Sequence, residues 1–556
     1  MSTVYLNTLP IEILYHVIDY LDIETIFFSF RSVCKRFYSI VNSYNNYDFN
    51  FESISKSNFN IICRMIPFKQ VISLTLSNKD KTHGQIPLFL SLFNLTQFNR
   101  LRSLKLIQIE DNDLKLFLNS IIHLSSLISF SIDLQTLNIR KNTSLNLLSS
   151  TINDHSFQQL DLNMWPKDMT EFQWSINSTI NYLRIRNSIT IKQFYIILQH
   201  CPCLQTMILK DFNIDDNSEY VPTDLKFFQL KSLTCINGRI EMSKIEQCLS
   251  LIPELIHLKL IGHGSLFNST FDGYRWEQIF LDKLPLLKKF EFFISVLTDV
   301  HFDTNNIEQI ISFFQTPFWL NDKQCFVICD YIIYLHKLIL YSIPICHNHF
   351  EYYSNLNKVS ASNFLMKDKN SIIMNNIKQL DLDLSQIINN NENSLSFQNV
   401  NELIIGINGE WPKDSLTFLS TTINLLNLVK LSLSVHFSHE YMPSIISGTN
   451  KLLKYAVNIH TLALFDYLAP QNCTTNMETV CLILTSNIKH LHIRVKNSDD
   501  MKYIIDNVKY LKSVTFEYPQ NFMFHHQDCI DYLSVLKEVS SIWECQYALH
   551  VWLSRN

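Results

Sequence analysis

The sequence predicts a mixed α/β protein: a short N-terminal helical domain followed by a solenoid of strand-and-return units, either a horseshoe or an open arc. Three observations carry this. The first fifty residues hold three short apolar-faced helical patterns. From about residue 60 onward an apolar triplet recurs in fifteen windows. Glycine numbers only 8 in 556 residues, where average usage gives roughly 40, so glycine-rich alternatives are excluded. The length suits three to four domains, or one extended array. Hydrophobic residues make up 47%, ample for a core.

The helical patterns come first along the chain. Pro10 suits a helix start, because its missing N–H has no partner there anyway. Glu12 lies in the first turn, where the helix dipole favours an anion. Ile13, Leu14, Val17, Ile18 and Leu21 then mark one apolar face. Asp22 is placed to cap a second helix over Ile23–Phe30. A third carries Val33, Phe37, Ile40 and Val41 on one face, with Arg31, Lys35 and Arg36 off it. So small a domain does not bury all these positions by itself, and no staple is visible, so a partner protein is expected.

This segment resembles the F-box. The family pattern begins L-P-x-E-[IL]-L, continues through an aliphatic and a [YF]-L-[DS] step, and closes on V-C-[KR]-x-[WF]. Here the blocks read Leu9-Pro10-Ile11-Glu12-Ile13-Leu14, then Ile18-Asp19-Tyr20-Leu21-Asp22, then Val33-Cys34-Lys35-Arg36-Phe37. The resemblance covers about residues 5–45, and the domain is set at 1–48. Phe37 stands where Trp is common, and Ile26, Phe27 and Phe28 where smaller aliphatics are usual. The resemblance implies docking onto the small adaptor of cullin–RING ubiquitin ligases of the Skp–cullin–F-box type. It places Leu9, Pro10, Glu12, Ile13, Leu14, Ile18, Leu21, Val33, Cys34 and Phe37 in or beneath that interface. The alternative is a plain helical cap that closes the apolar end of the solenoid.

The repeat unit is an apolar residue at i, i+3 and i+5 with polar residues between, as in Leu101/Leu104/Leu106, Ile180/Leu183/Ile185 and Leu428/Leu431/Leu433. At 47% hydrophobic composition such triplets also arise by chance, so spacing and the i+2 residue decide. Successive windows start 23 to 32 residues apart, save one gap between 287 and 377. The i+2 residue is never aliphatic. Alternation puts i+3 and i+5 on one face of a short strand, and i+2 and i+4 on the other. One unit cannot bury its own face, so neighbours must stack. The pattern resembles leucine-rich repeats, whose unit is L-x-x-L-x-L-x-x-[NC]. The closing Asn is missing from all windows but one, at Asn408, so the repeat is degenerate. A β-propeller fails for want of turn glycine.

The repeat region divides into a first half at 60–295, an aromatic-rich interruption at 296–376, and a second half with a C-terminal cap at 377–556. Within the interruption, Leu335/Leu338/Leu340 suggests that the strand layer continues. Trp165-Pro166-Lys167-Asp168 recurs as Trp411-Pro412-Lys413-Asp414, which reads as a turn made twice or as a duplication of half the array.

Catalytic chemistry finds little support. No glycine belongs to a phosphate-cradling motif, and there is no G-x-S-x-G elbow or H-E-x-x-H helix. Cys325 and Cys329, with Cys346, His347 and His349 beyond, are spaced too widely for a zinc knuckle. Cys201-Pro202-Cys203 is too tight for a redox pair. His525-His526 and Asp528-Cys529 lack anything to organise them. No metal, no cofactor and no enzymatic activity are therefore expected. The net charge of −5 gives no nucleic-acid footprint and no basic membrane patch. Met1 to Tyr20 does not read as a signal peptide, no long apolar span occurs, and the 13 cysteines are scattered, so cytoplasm or nucleus is expected.

What remains is a surface formed by the outward strand residues. Asp133, Asp161, Arg184, Arg186 and Lys210 form a charged stretch, and Asp381 and Asp383 an acidic pair; these are the candidate contacts to a target protein. The expected function is a substrate-recognition subunit of a cullin–RING ubiquitin ligase. The alternative is a non-enzymatic leucine-rich-repeat scaffold with no ubiquitin role.

Overall fold

The computed structural model describes residues 6–52, 54–79, 82, 84–134, 143–176, 178–210, 212, 225–239, 242–264, 271–352, 358–363, 374–386, 396–435, 440–466, 477–495, 497–517, 526–536, 539–545 and 548–553. The chain falls into two compact units. The first holds Met1–Arg239, Ser243–Leu258 and Lys283–Leu287; the second holds Ile240–Met242, Lys259–Asp282 and Lys288–Asn556.

The first unit opens with two α-helices, α1 (Ile11–Asp19) and α2 (Lys35–Ser43), joined through a π-helical turn at Thr25–Ser29. Helix α1 starts one residue after Pro10, whose carbonyl accepts from the Leu14 N–H (3.2 Å). Asp22 caps the middle segment by accepting from the Thr25 N–H and hydroxyl, both at 2.8 Å. Leu14, Ile18, Phe30, Phe37, Ile40 and Val41 are buried, and the Phe30 and Phe37 rings stack at 4.4 Å.

Strand β1 (Tyr47–Asn50) follows and was not expected from the sequence. Its Tyr47 and Phe49 lie against Phe27, with centroids at 5.8 and 6.1 Å, and Tyr47 donates its hydroxyl proton to the Val41 carbonyl. Part of the cover expected from a partner protein therefore comes from the chain itself.

Seven further strands complete the first unit: β2 (Val71–Ser77), β3 (Ser103–Ile107), β4 (Ser129–Asp133), β5 (Gln159–Asn163), β6 (Tyr182–Ile185), β7 (Thr206–Lys210) and β8 (Ser232–Arg239). With β1 they lie in chain order, and every adjacent pair is parallel. Parallel neighbours need a crossover, and helices such as Ile191–His200 supply it. That helix starts at a capping box, with Thr190 accepting from the Gln193 N–H and Gln193 from the Thr190 N–H.

The second unit contains β9 (His257–Gly264) from Lys259 on, then β10 (Lys289–Leu297), β11 (Phe326–Ile332), β12 (Lys337–Ile343), β13 (His349–Tyr352) and β14 (Lys358–Ser362). They are followed by β15 (Gln379–Asp383), β16 (Glu402–Ile407), β17 (Lys430–Val435), β18 (Thr461–Asp466), β19 (His490–Arg494), β20 (Ser513–Glu517), β21 (Val539–Cys545) and β22 (Ala548–Leu553). Strand β13 starts a parallel run through β15 to β20, which ends on the antiparallel pair β22 and β21.

In all fifteen windows the residues at i, i+3 and i+5 are buried, none more than 8% exposed. The i+2 residue is the first residue of the strand at β3–β10 and β15–β20; only β2 starts earlier, at Val71. Register stacks equivalent positions into apolar ladders. In the first unit Leu106, Ile132, Leu162, Ile185 and Leu209 are successive partners. In the second, Leu382, Ile405, Leu433, Leu464, Ile493 and Phe516 are. Each ladder buries a row of methyl and ring surface that a lone strand would leave in water.

The strand layer continues through the interruption, as Leu335/Leu338/Leu340 suggests, but without the parallel pairing of the repeat strands. Leu338 and Leu340 do lie buried on β12, but β12 runs antiparallel to both β10 and β11. The reason is the short link: only Ile333–His336 separate β11 from β12, with His336 in the left-handed region (φ 48°). So short a connection makes a hairpin and cannot make a parallel crossover. The aromatic run packs internally: Trp319 is fully buried among Phe280, Phe290, Phe314 and Phe318.

The repeated four residues build different local structures. Trp165 is 49% exposed and precedes a helix that starts at Pro166. Trp411 is 9% exposed, its backbone N–H donates to Ser444 Oγ (3.1 Å), and its ring lies on Gly448 of the helix Met442–Tyr455. A Cβ at 448 would come within 2.1 Å of that ring. Gly448→Ala is therefore expected to cost about 1–3 kcal/mol by overpacking, although alanine is the better helix former. Urea unfolding checks this; adding Trp411→Ala should make the pair less destabilised than the sum of the single variants.

Candidate functional site

The helical segment presents a divided set of side chains. Of the residues expected at a docking interface, Leu14, Ile18 and Phe37 are buried and form its core. Leu9, Leu21 and Cys34 are half-buried. Pro10, Glu12, Ile13 and Val33 are exposed, with Ile13 at 45% and Val33 at 65%. Leu6, Ile11, Tyr20 and Tyr38 add exposed apolar surface that the sequence reading did not select.

Arg36 ties the start of α1 to the start of α2. Its guanidinium donates to the Leu9 carbonyl (2.6 Å) and to the Asn7 carbonyl. The Leu9-Pro10 step is thereby held beside Val33-Cys34, so the first and last motif blocks meet in space. No residue-type pattern signals this, because the acceptors are backbone carbonyls. Arg31 instead turns inward, over the Tyr38 ring at 4.6 Å and the Phe27 ring at 5.6 Å.

Two of the five charged positions of the first unit pair with each other. Arg186 grips Asp161 through two hydrogen bonds, Nε–Oδ1 at 2.8 Å and Nη2–Oδ2 at 2.6 Å. This contact to Asp161 raises the Arg186 pKa further, and the charges of Asp133 and Glu52 act in the same direction. Arg184 is the register partner of Asp161, and Lys210 stands exposed at the end of β7. Among the described residues neither Arg184 nor Lys210 has an ion-pair partner. These five positions share one region, but the Asp161–Arg186 pair offers little net charge to a visitor.

The acidic pair lies elsewhere, in the second unit. Asp381 and Asp383 line a cleft of about 910 Å³ together with Glu351, Lys337, His263 and Ser295. Lys337 Nζ pairs with Glu351 (2.6 Å), and His263 Nδ1 meets Ser295 Oγ (2.6 Å). Asp383 accepts from the Ser385 N–H (3.0 Å) and hydroxyl. Burial raises the Asp381 pKa, with the charge of Glu351 next in effect. Glu351, Lys337 and His263 were missed by sequence reading, because each belongs to a different strand far along the chain.

No group of three or more His, Cys, Asp or Glu among the described residues could hold a metal ion. Cys325, Cys329 and Cys346 are buried, and burial pushes the thiols of Cys325 and Cys346 up to about 12. Cys201 is pushed up to about 11 by burial. Such thiols are protonated at neutral pH and are not nucleophiles. His525 and the side chains of His526, Asp528 and Cys529 lie outside the described residues. Among the described residues no helix is long and apolar enough to cross a membrane.

Comparison with known proteins agrees with the helical segment. Residues 6–49 match the F-box domain family. No curated protein matches the chain. F-box domains bind Skp-type adaptors of ubiquitin ligases, and proteins that carry them are typically non-enzymatic adaptors. The chain thus combines an F-box domain with a large, mainly parallel α/β sheet region.

Proposed function

We propose that this chain is the substrate-recognition subunit of a cullin–RING ubiquitin ligase of the Skp–cullin–F-box type. The observation that carries the reading is the F-box at residues 6–49 whose exposed Pro10, Ile13 and Val33 the chain leaves uncovered. These apolar side chains meet the adaptor, Glu12 lies at their edge, Leu9, Leu21 and Cys34 line the seam, and Leu14, Ile18 and Phe37 support them from beneath.

The strands that follow are, on this reading, a degenerate leucine-rich-repeat solenoid that holds a target protein. Two features support it: strands that begin at the i+2 residue, and apolar ladders in register. On this reading the layout is an F-box at 1–48, repeat halves at 60–295 and 377–556, and an interruption at 296–376 between them. The protein works by raising the effective concentration of target at the conjugating enzyme, in the cytoplasm or nucleus, with no cofactor and no chemistry of its own.

The rival reading is a scaffold whose N-terminal helices only cap the repeats. The packing of Phe27 on Tyr47 and Phe49 favours it, but it gives Ile13 and Val33 no role. A tagged full-length chain is expected to co-purify the adaptor together with cullin and RING subunits. Leu9→Ala with Pro10→Ala should lose all of them together. Recovery of none by the intact, folded chain would leave the scaffold.

A further inference from the structure

The cleft of the second unit combines acid with exposed apolar surface. Its floor is the outward side of β15, β16 and β17, where Asp381, Asp383, Gly406 and Ser434 stand. Gly406 is the register partner of Asp383, so no side chain fills the floor there. Its rim carries Leu297, 71% exposed, with Tyr334 and Leu335, also exposed.

The charges do not balance. Lys337 is taken up by Glu351, and Asp383 by Ser385. Among the described residues no donor bonds to the Asp381 carboxylate, and no ion pair neutralises it. Burial raises the Asp381 pKa, the charges of Glu351 and Asp383 act with it, and those of His349 and Lys337 act against it, so the cleft keeps an acidic excess. A divalent ion does not fit, since no three ligating residues converge among the described ones. A flat, planar cation with several donors does fit, and apolar residues beside it would cover Leu297 and Tyr334.

We propose that this cleft seats a basic segment of the target protein, an arginine against Asp381 flanked by an apolar residue on Leu297, Tyr334 and Leu335. This rests on the substrate-receptor reading and names the chemistry of what is received. Asp381 then carries a folding cost kept for binding. Its pKa is raised on folding, so its ionised form opposes folding as pH rises above the ordinary carboxylate value. Asp381→Asn should keep or raise the melting temperature at pH 7.

The test uses the full-length chain and two labelled decapeptides, one alternating arginine and leucine, the other alternating citrulline and leucine. Citrulline keeps the shape and removes the charge. Fluorescence anisotropy is expected to give at least about ten-fold tighter binding of the arginine peptide, and Asp381→Asn is expected to erase that preference. Equal binding of the two peptides, or a preference that survives Asp381→Asn, would overturn the proposal. Adaptor capture is measured on the same preparations. Adaptor capture without peptide discrimination sinks the cleft alone; discrimination without adaptor capture sinks the ubiquitin-ligase reading and leaves a cleft for basic segments.

Discussion

Changing Ile13 and Val33 together to aspartate is expected to lower adaptor affinity by at least about 100-fold. Both side chains are exposed, at 45% and 65%, so the charges face water in the free protein and should leave unfolding within about 0.5 kcal/mol of wild type. In the complex each charge would enter an apolar contact and lose its hydration without a partner. The split between binding and folding is the diagnostic. Calorimetry of the variant with the adaptor, beside its urea midpoint, reads both. Affinity that survives both charges would place the docking surface elsewhere.

The second large effect lies beneath that surface. Phe37 is 2% exposed and stacks on Phe30 at 4.4 Å. Phe37→Ala is expected to destabilise the helical domain by about 3–5 kcal/mol, through lost transfer energy and the cavity left behind. Adaptor binding falls here because the docking residues are no longer held, in contrast to the aspartate pair. Hydrogen exchange should show lost protection in α1 and α2, with the ladder from β15 to β20 unchanged. Phe37→Leu should recover part of both stability and binding.

The repeat strands were legible because the triplet encodes burial directly. Leu160 and Leu162 must share a face, and the polar residue before them marks where the strand begins. Direction is not encoded in that way. Leu338 and Leu340 alternate like any repeat strand, yet β12 runs antiparallel because the link before it holds only Ile333–His336. Alternation reports which face is buried and is blind to which way the strand runs.

The F-box was legible through the three ordered blocks from Leu9 to Phe37, which fall within the matched residues 6–49. How those blocks are joined was not, since Arg36 reaches backbone carbonyls that any residue could offer. The charged positions show the same limit. Sequence reading marks Asp161 and Arg186 as neighbours on one face; that they pair with each other lowers what they offer a partner. Asp381 and Asp383 were visible as an acidic pair, whereas the ion pair of Lys337 with Glu351 beside them joins two strands of the interruption. That neighbour decides which carboxylate is left unmatched.

One measurement bears most directly on the central claim: titration of the purified adaptor into the purified full-length chain, wild type beside Leu9→Ala, Pro10→Ala. The receptor reading predicts a one-to-one complex with the wild type and none with the variant at the same concentrations. A folded wild-type chain that takes up no adaptor, or a variant that binds as the wild type does, would contradict it.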